Sequence, residues 1–207
     1  MAPSMEAADV NATPLLRLQA LACRRGTRLL FRGVNLTVSA GDLVWLRGRN
    51  GSGKTSLLRL AAGLGRPAQG EVVRPGGTPV LLGHTNALKD ELTVAESLHF
   101  LLGVHALPQD AATLDAALDR FGLASRCHQR IAHLSQGQRR RVALARLAAS
   151  RSRTLWLLDE PHDGLDAEGT QVLDALLAEH LRSGGSVLMA SHQAPSLPGR
   201  VLDLDAP

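Results

Sequence analysis

An eight-residue segment in the first third of the chain reads Gly48-Arg49-Asn50-Gly51-Ser52-Gly53-Lys54-Thr55. It fits the pattern G-x-x-x-x-G-K-[ST] in full. The glycines let the backbone curl so that its N–H groups point inward, toward phosphate oxygens. Lys54 can reach the β- and γ-phosphates of a nucleotide, and the Thr55 hydroxyl is an oxygen ligand of the kind Mg²⁺ prefers. The segment, together with Ser56, therefore predicts a cradle for a triphosphate and Mg²⁺.

The flanking sequence places this cradle between a strand and a helix. Residues 43–46 form a short apolar run typical of a buried strand, and apolar residues at helical spacing predict a helix from residue 53 to about residue 64. A helix start carries roughly half a positive charge, which favours an anion. The alternative is a glycine-rich turn without a function, and the context argues against it.

A second apolar run, residues 155–158, ends in the adjacent carboxylates Asp159 and Glu160. Continuous apolar sequence is expected of a strand that is covered on both faces. Asp159 would hold Mg²⁺ directly or through its water shell. Glu160 points elsewhere and can polarise an attacking water as a general base. The alternative is a strand followed by an acidic turn. The carboxylate pair indicates a hydrolytic site only together with the cradle.

The remaining pattern predicts an α/β core with a helical insertion. Residues 93 to about 153 look helical, with capping boxes at Thr93/Glu96 and Ser135/Gln138. Further helices are expected at residues 110–121 and 166–181, and further strands at residues 34–38, 71–73, 80–82, 186–189 and 201–204.

Composition excludes several other classes of protein. Apolar residues make up 44% of the 207 residues and aromatic residues only 2%, so the stacking platforms of single-strand binders are not expected. The net charge of +4 is spread along the chain, whereas a nucleic-acid stripe would be clustered. Two distant cysteines argue against a disulfide framework or a zinc site. Residues 1–13 are interpreted as a flexible tail before one domain, residues 14–207, and no apolar run reaches the ~18 residues of a membrane span.

Three further motifs stand in order around the carboxylate pair. They are Leu134-Ser135-Gln136-Gly137-Gln138, then Gly164-Leu165-Asp166, then Ser191-His192. With the cradle, they resemble the ABC (ATP-binding cassette) family, with Gln136 in place of the first glycine of its LSGGQ signature. The resemblance covers nearly the whole chain from Leu15 onward. It implies an ABC-type P-loop NTPase fold with an antiparallel β subdomain and a helical subdomain.

The resemblance also implies roles for these residues. The cofactors would be ATP and Mg²⁺, and two copies would pair head to tail. ATP on the cradle of one copy would then meet Ser135, Gln136, Gly137 and Gln138 of the other. His192 would contact the γ-phosphate, and Asp166 would help to link the two sites.

Two positions depart from the family pattern. An aromatic residue that stacks on adenine is usual near position 25, where this chain has Arg25. A guanidinium plane can stack instead. The loop glutamine of the family falls at His84, and an imidazole is a poorer Mg²⁺ ligand than an amide oxygen. We assign His84 to the catalytic group, with a loop histidine of no role as the alternative.

Several stretches resemble one branch in particular, the small ATP-binding subunits of the bacterial haem-export machinery of cytochrome c maturation. Residues 82–93, 141–147 and 155–161 are among them. This resemblance implies an ATPase that is bound to separate integral membrane subunits at the cytoplasmic face of the inner membrane, without nucleic acid. The alternatives are a soluble ABC ATPase acting on ribosomes or DNA, and a small-molecule kinase or GTPase. Against a kinase or GTPase, this chain has no N-K-x-D guanine motif, and such a function would leave the Ser135 segment unexplained.

Overall fold

The structure is a computed structural model that describes residues 14–150 and 152–205, so the predicted tail lies outside the described residues. The strands are β1 (Leu16–Arg25), β2 (Arg28–Val38), β3 (Leu43–Arg47), β4 (Gln69–Val73), β5 (Val80–Leu82), β6 (Leu155–Asp159), β7 (Ser186–Ala190) and β8 (Arg200–Asp203). The α-helices are α1 (Lys54–Ala61), α2 (Val94–Val104), α3 (Ala111–Arg120), α4 (Gln136–Ala148) and α5 (Ala167–Arg182).

The strands form two sheets. One is antiparallel, in the order β2-β1-β4, and the other is parallel, in the order β5-β6-β7-β3-β8. Strands β6 and β7 are buried along their whole length, which explains their continuous apolar sequence. The fold class predicted from the sequence is confirmed.

The order of the parallel sheet positions the predicted site. The cradle follows β3, Asp159 ends β6 and Ser191 follows β7, and these three strands are neighbours in the sheet. Parallel strands present their carboxyl ends at one edge, where ligands of α/β proteins bind. Three motifs that are far apart in the sequence therefore meet at one edge.

Strand β6 is anchored from both sides. The ring of Trp156 stacks on that of His180 from α5, with 3.6 Å between centroids, and its Nε1 donates to Ser150 Oγ at 2.9 Å. Burial lowers the pKa of His180 to about 4, so its imidazole is neutral near pH 7. Because the ring of His180 is neutral and stacked, this polar side chain can lie in the core beside the strand that carries Asp159.

Both predicted capping boxes are present. Thr93 Oγ1 accepts from the Glu96 N–H at 3.2 Å while Glu96 accepts from the Thr93 N–H at 2.8 Å. The Ser135/Gln138 pair is reciprocal in the same way, at 3.2 and 3.0 Å. The segment from residue 93 to 150 contains α2, α3 and α4, and its division from the core as a helical subdomain at 93–153 stays a prediction.

Three elements, α1, β1 and β2, differ from the prediction. The first helix was expected to run to about Leu64, but it ends at Ala61 because Gly63 adopts a left-handed φ of +83°. Leu64 is 59% exposed and does not belong to the apolar stripe. Strand β1 was not predicted, and β2 begins six residues earlier than expected, because both strands carry bulges and mixed polar faces.

None of the described helices combines the length and apolar character needed to cross a bilayer.

Candidate functional site

The cradle between β3 and α1 requires its glycines. Gly53 precedes α1 with φ +107°, and a Cβ there would lie 2.8 Å from Cδ1 of Phe31. Gly48 has φ +151°, and a Cβ there would lie 2.5 Å from Ser52 Oγ. Any side chain at these two positions would collide with its neighbours, so the tight curl of the loop requires glycine at both.

The predicted phosphate and metal ligands lie together. Lys54 Nζ donates to the carbonyl oxygen of Gly48 at 2.7 Å, which holds the ammonium group over the cradle. Thr55 Oγ1 donates to Asp159 Oδ2 at 2.7 Å. A hydroxyl and a carboxylate oxygen in contact at the edge of the sheet are the hard oxygen donors that Mg²⁺ takes, alongside water and substrate phosphates. The residues present therefore fit a magnesium ion.

A cavity of about 450 Å³ opens over the cradle. Thr55, Asp159, Glu160, His84 and His192 all line it. The remaining cradle wall consists of Asn50, Gly51, Gly53, Lys54 and Ser56. The structure thus brings His84, which was placed only by its offset from a helix start, to the same cavity as the carboxylates.

The lining of the cavity outside the cradle includes basic residues where the family usually has an aromatic one. Arg25 and Arg28 line it together with Leu30. The departure at Arg25 therefore lies on the nucleotide cavity, where a guanidinium plane can cover a base.

Glu160 is held in an unusual conformation beside His192. Its φ is +47°, in the left-handed region that L-residues occupy only when their surroundings impose it. The His192 N–H donates to Glu160 Oε2 at 3.1 Å, and His192 Nε2 lies 3.5 Å from Glu160 Oε1. The carboxylate side chain is 11% exposed and the imidazole 60% exposed. A nearly buried base and an accessible imidazole therefore face the same cavity.

Arg140 is a residue whose role the sequence analysis missed. It is 3% exposed, and its guanidinium donates to the carbonyl oxygens of Asp159, Glu160 and Pro161. It also donates to Asn86 Oδ1 at 3.0 Å, in the loop that carries His84. Burial lowers the pKa of Arg140, and the carboxylates around it oppose that shift. Arg140 therefore joins the turn at Glu160 to the loop at His84.

The arginine run 139–141 points in three directions. Arg139 Nη1 contacts Asp90 Oδ1 at 2.7 Å at the surface, whereas Arg140 points into the core. Arg141 Nη2 contacts Asp166 Oδ1 at 2.6 Å and Glu168 Oε2 at 3.0 Å. Successive helical residues face about 100° apart, and this periodicity was the available signal for an inward Arg140.

The signature segment lies apart from the cradle. Ser135, Gly137 and Gln138 line a second cavity, of about 460 Å³, with Arg141 and Asp166. Gln136 is the first residue of α4. Among the residues that the structure describes, none of these signature positions lines the cavity over the cradle. The structure thus brings the cradle, Asp159, Glu160, His84 and His192 together, but not the signature.

Asp166 has a local role at this second cavity. Its carboxylate caps α5, accepting from the Gly169 N–H at 2.9 Å. The hydrogen bond from Arg141 holds the pKa of Asp166 below its usual value, with the Gly169 N–H contributing in the same direction. Asp166 is therefore a charged cap fixed to α4, beside the signature.

Comparisons with known proteins show to which family the chain is similar. The sequence profile of the family described as "ABC transporter" matches residues 31–163. The cytochrome c biogenesis ATP-binding export protein CcmA of Albidiferax ferrireducens is 40% identical, over 95% of this chain and 100% of that protein. The protein of the same name from Sphingopyxis alaskensis is 45% identical, over 93% of this chain and 95% of that protein.

A solved structure of an ATP binding subunit of an ABC transporter superposes with a TM-score of 0.76 at 25% identity, covering 86% of this chain and 79% of that one. The predicted resemblance is thus confirmed along nearly the whole sequence. The chain belongs to the ABC transporter family, in the branch of the cytochrome c biogenesis ATP-binding export proteins, and it is an ABC-type ATPase.

Proposed function

We propose that this ATPase drives a membrane exporter that serves c-type cytochrome biogenesis, at the step of haem export or haem-chaperone handling. It works as a homodimer bound to separate integral membrane subunits, as a peripheral protein at the cytoplasmic face of the inner membrane. The observation that supports the homodimer is that the cradle residues and the signature residues line two separate cavities of one chain. The names of the two relatives that align over most of the chain support the biogenesis role.

The cradle residues bind and orient ATP. Backbone N–H groups of the loop and the start of α1 face the phosphate oxygens, and Lys54 takes the β- and γ-phosphates. Thr55 and Asp159 are the residues that would hold Mg²⁺, which when bound neutralises charge on the phosphate oxygens. The short contact between these two side chains supports this pairing.

Glu160 and His192 carry out the hydrolytic step. Glu160 accepts a proton from water as the water oxygen bonds to the γ-phosphorus, and the bond to the ADP oxygen breaks. His192 donates a hydrogen bond to the γ-phosphate and keeps the carboxylate in place. His84, on the loop held by Arg140, lies at the same cavity and responds to the position of α4.

A second copy completes each site. The start of α4 is a helix N-terminus that favours an anion, and in a single chain it faces its own cavity rather than the cradle. Head-to-tail pairing brings residues 135–138 of one copy to the γ-phosphate held by the other. ATP binding then closes the dimer, and hydrolysis reopens it.

The names of the relatives do not favour the alternative of a soluble ABC ATPase acting on ribosomes or DNA. The proposal therefore includes no nucleic-acid partner.

The test is purification of the tagged Glu160→Gln chain from membranes, with mass spectrometry of the proteins that remain bound. We expect integral membrane subunits to be retained, and hydrolysis by the wild-type complex to exceed that of the isolated chain. Phe100→Ser replaces an exposed apolar side chain of α2 that does not line the nucleotide cavity. If this face docks on the membrane subunits, fewer of them are retained with the variant. Recovery of ribosomes or DNA in place of membrane subunits would contradict the proposal.

A further inference from the structure

One carboxylate on α5 joins the two segments that carry the hydrolytic pair. Asp174 Oδ1 lies 2.8 Å from His162 Nε2, and Asp174 Oδ2 accepts from Ser196 Oγ at 2.8 Å. His162 follows Glu160 by two residues, and Ser196 follows His192 by four. A single side chain therefore holds the segment after β6 and the segment after β7.

These contacts close a ring. At one end, His192 touches Glu160 directly, through its N–H at 3.1 Å and its imidazole at 3.5 Å. At the other end, Asp174 links His162 to Ser196. All five residues line a cavity of about 410 Å³ that adjoins the one over the cradle. The distance between the two segments is thus fixed at two points.

The support for this ring is rigid. Asp174 is 29% exposed, but its neighbours Leu173 and Leu177 on α5 are buried in the core. The start of α5 is fixed as well, by the contact between Asp166 and Arg141. A carboxylate on an anchored helix can set the position of two loops, whereas a carboxylate on a loop would move with them.

We infer that Asp174 is a positioning residue of the ATPase: through His162 and Ser196 it keeps Glu160 and His192 at their working separation. The inference rests on the roles proposed above for those two residues. Asp174 is not among the residues lining the cradle cavity, so it acts on hydrolysis and not on the binding of ATP.

Steady-state hydrolysis by the full chain tests this role. A displacement of about 1 Å near reacting atoms can cost roughly 10²-fold, so we expect Asp174→Ala to lower kcat by about tenfold, because the direct Glu160–His192 contact remains. KM for ATP stays within about twofold of wild type. Asp174→Asn recovers part of kcat, since its amide oxygen still accepts from Ser196. The control is Asp115→Ala, at an exposed position on α3, which leaves both constants unchanged.

A second set of variants separates positioning from general stability. If Asp174 acts through His192, then Asp174→Ala lowers the single-turnover rate far less in a His192→Ala background than in the wild type, whereas an unrelated structural role gives additive effects. If Asp174→Ala fails to fold, the double variant His162→Ala/Ser196→Ala removes the same links and is judged by the same two measurements.

The single variants Glu160→Gln and His192→Ala distinguish a failure of the proposed hydrolytic roles from a failure of the role of Asp174. If both hydrolyse ATP like wild type, the proposed hydrolytic roles fall. If both lose activity while Asp174→Ala keeps wild-type kcat, or its effect adds fully to that of His192→Ala, only the role of Asp174 is overturned.

Discussion

The two helix starts to which we assign phosphate binding, those of α1 and α4, are built differently. Gly53 precedes α1 and has no side chain, so the first N–H groups of that helix stay open toward the cradle. Ser135 precedes α4, and its hydroxyl accepts from the Gln138 N–H at 3.2 Å. The helix start at the cradle is left for a ligand, whereas at the start of α4 one N–H group, that of Gln138, is already bound by Ser135 of the same chain.

The surroundings of the two helix starts differ in the same sense. Lys54, Thr55, Asp159, Glu160 and His192 gather around the first. The second has Arg126, Arg141 and Asp166 beside it, without a carboxylate pair of the Asp159-Glu160 kind. This difference fits the proposed homodimer, in which the cradle holds the hydrolytic residues and the second cavity supplies donors to the phosphate of another copy.

The largest effect is expected at the cradle, from Glu160→Gln. An amide cannot accept the proton of the attacking water, so hydrolysis falls by about 10²–10⁴-fold. ATP affinity stays near the wild-type value, because Lys54 and the loop are unchanged. Turnover and nucleotide binding are measured side by side, with Glu71→Gln, at an exposed position of β4, as control. Hydrolysis near the wild-type rate would remove Glu160 from the base role.

The next effect is on affinity, from Lys54→Ala. Hydrogen bonds to charged groups contribute about 1.5–3 kcal/mol, so the loss of the ammonium group weakens ATP binding by roughly 10–100-fold. Binding of a fluorescent ATP analogue measures it. The other lysine of the chain, Lys89, lies 5.6 Å from the ring of Phe100, and Lys89→Ala is the matched control. Unchanged affinity in Lys54→Ala would break the assignment of the cradle.

Arg140 connects α4, which begins at the signature, to the turn at Glu160 beside the cradle. Its replacement by lysine tests that connection. The three nitrogens of the guanidinium donate to the carbonyls of residues 159–161 and to Asn86. A lysine has a single nitrogen and cannot keep all these contacts, so the turn at Glu160 loosens. We expect kcat to fall by about tenfold, the scale of a slightly misplaced catalytic group, with ATP affinity retained.

The neighbouring substitution Arg139→Lys is its control, because Arg139 pairs with Asp90 at the surface. Equal losses in the two variants would show that α4 is sensitive as a whole and that Arg140 has no special place.

The smallest effect is expected at the signature, from Ser135→Ala in the isolated chain. Loss of an N-cap costs about 1 kcal/mol of stability, which urea unfolding detects. ATP affinity of the cradle does not change in a single copy, since Ser135 lines the other cavity. Ser135→Asn retains a capping oxygen and should recover the stability. A fall in affinity like that of Lys54→Ala would mean that one chain completes its own site.

Contiguous motifs were predictable from the sequence, and contacts made by packing were not. The cradle and both capping boxes depend on backbone chemistry within a few residues, so their spacing alone identifies them. The meeting of Thr55 and Asp159 follows from the edge at which parallel strands end. The buried position of Arg140 was not predicted, because a run of three charged residues usually lies on a solvent-exposed face. The link from Asp174 to His162 and Ser196 depends on how α5 packs, and no local pattern carries that information.

The most direct test of the shared site is a distance between two copies. In a Glu160→Gln background with Cys23 and Cys127 replaced by serine, one copy carries a spin label at Arg28→Cys, beside the cradle, and the other at Arg126→Cys, beside the signature. We expect a short distance between the labels that appears with ATP and is absent without it. Labels that stay far apart with ATP, both for the chain alone and in its membrane complex, would contradict it.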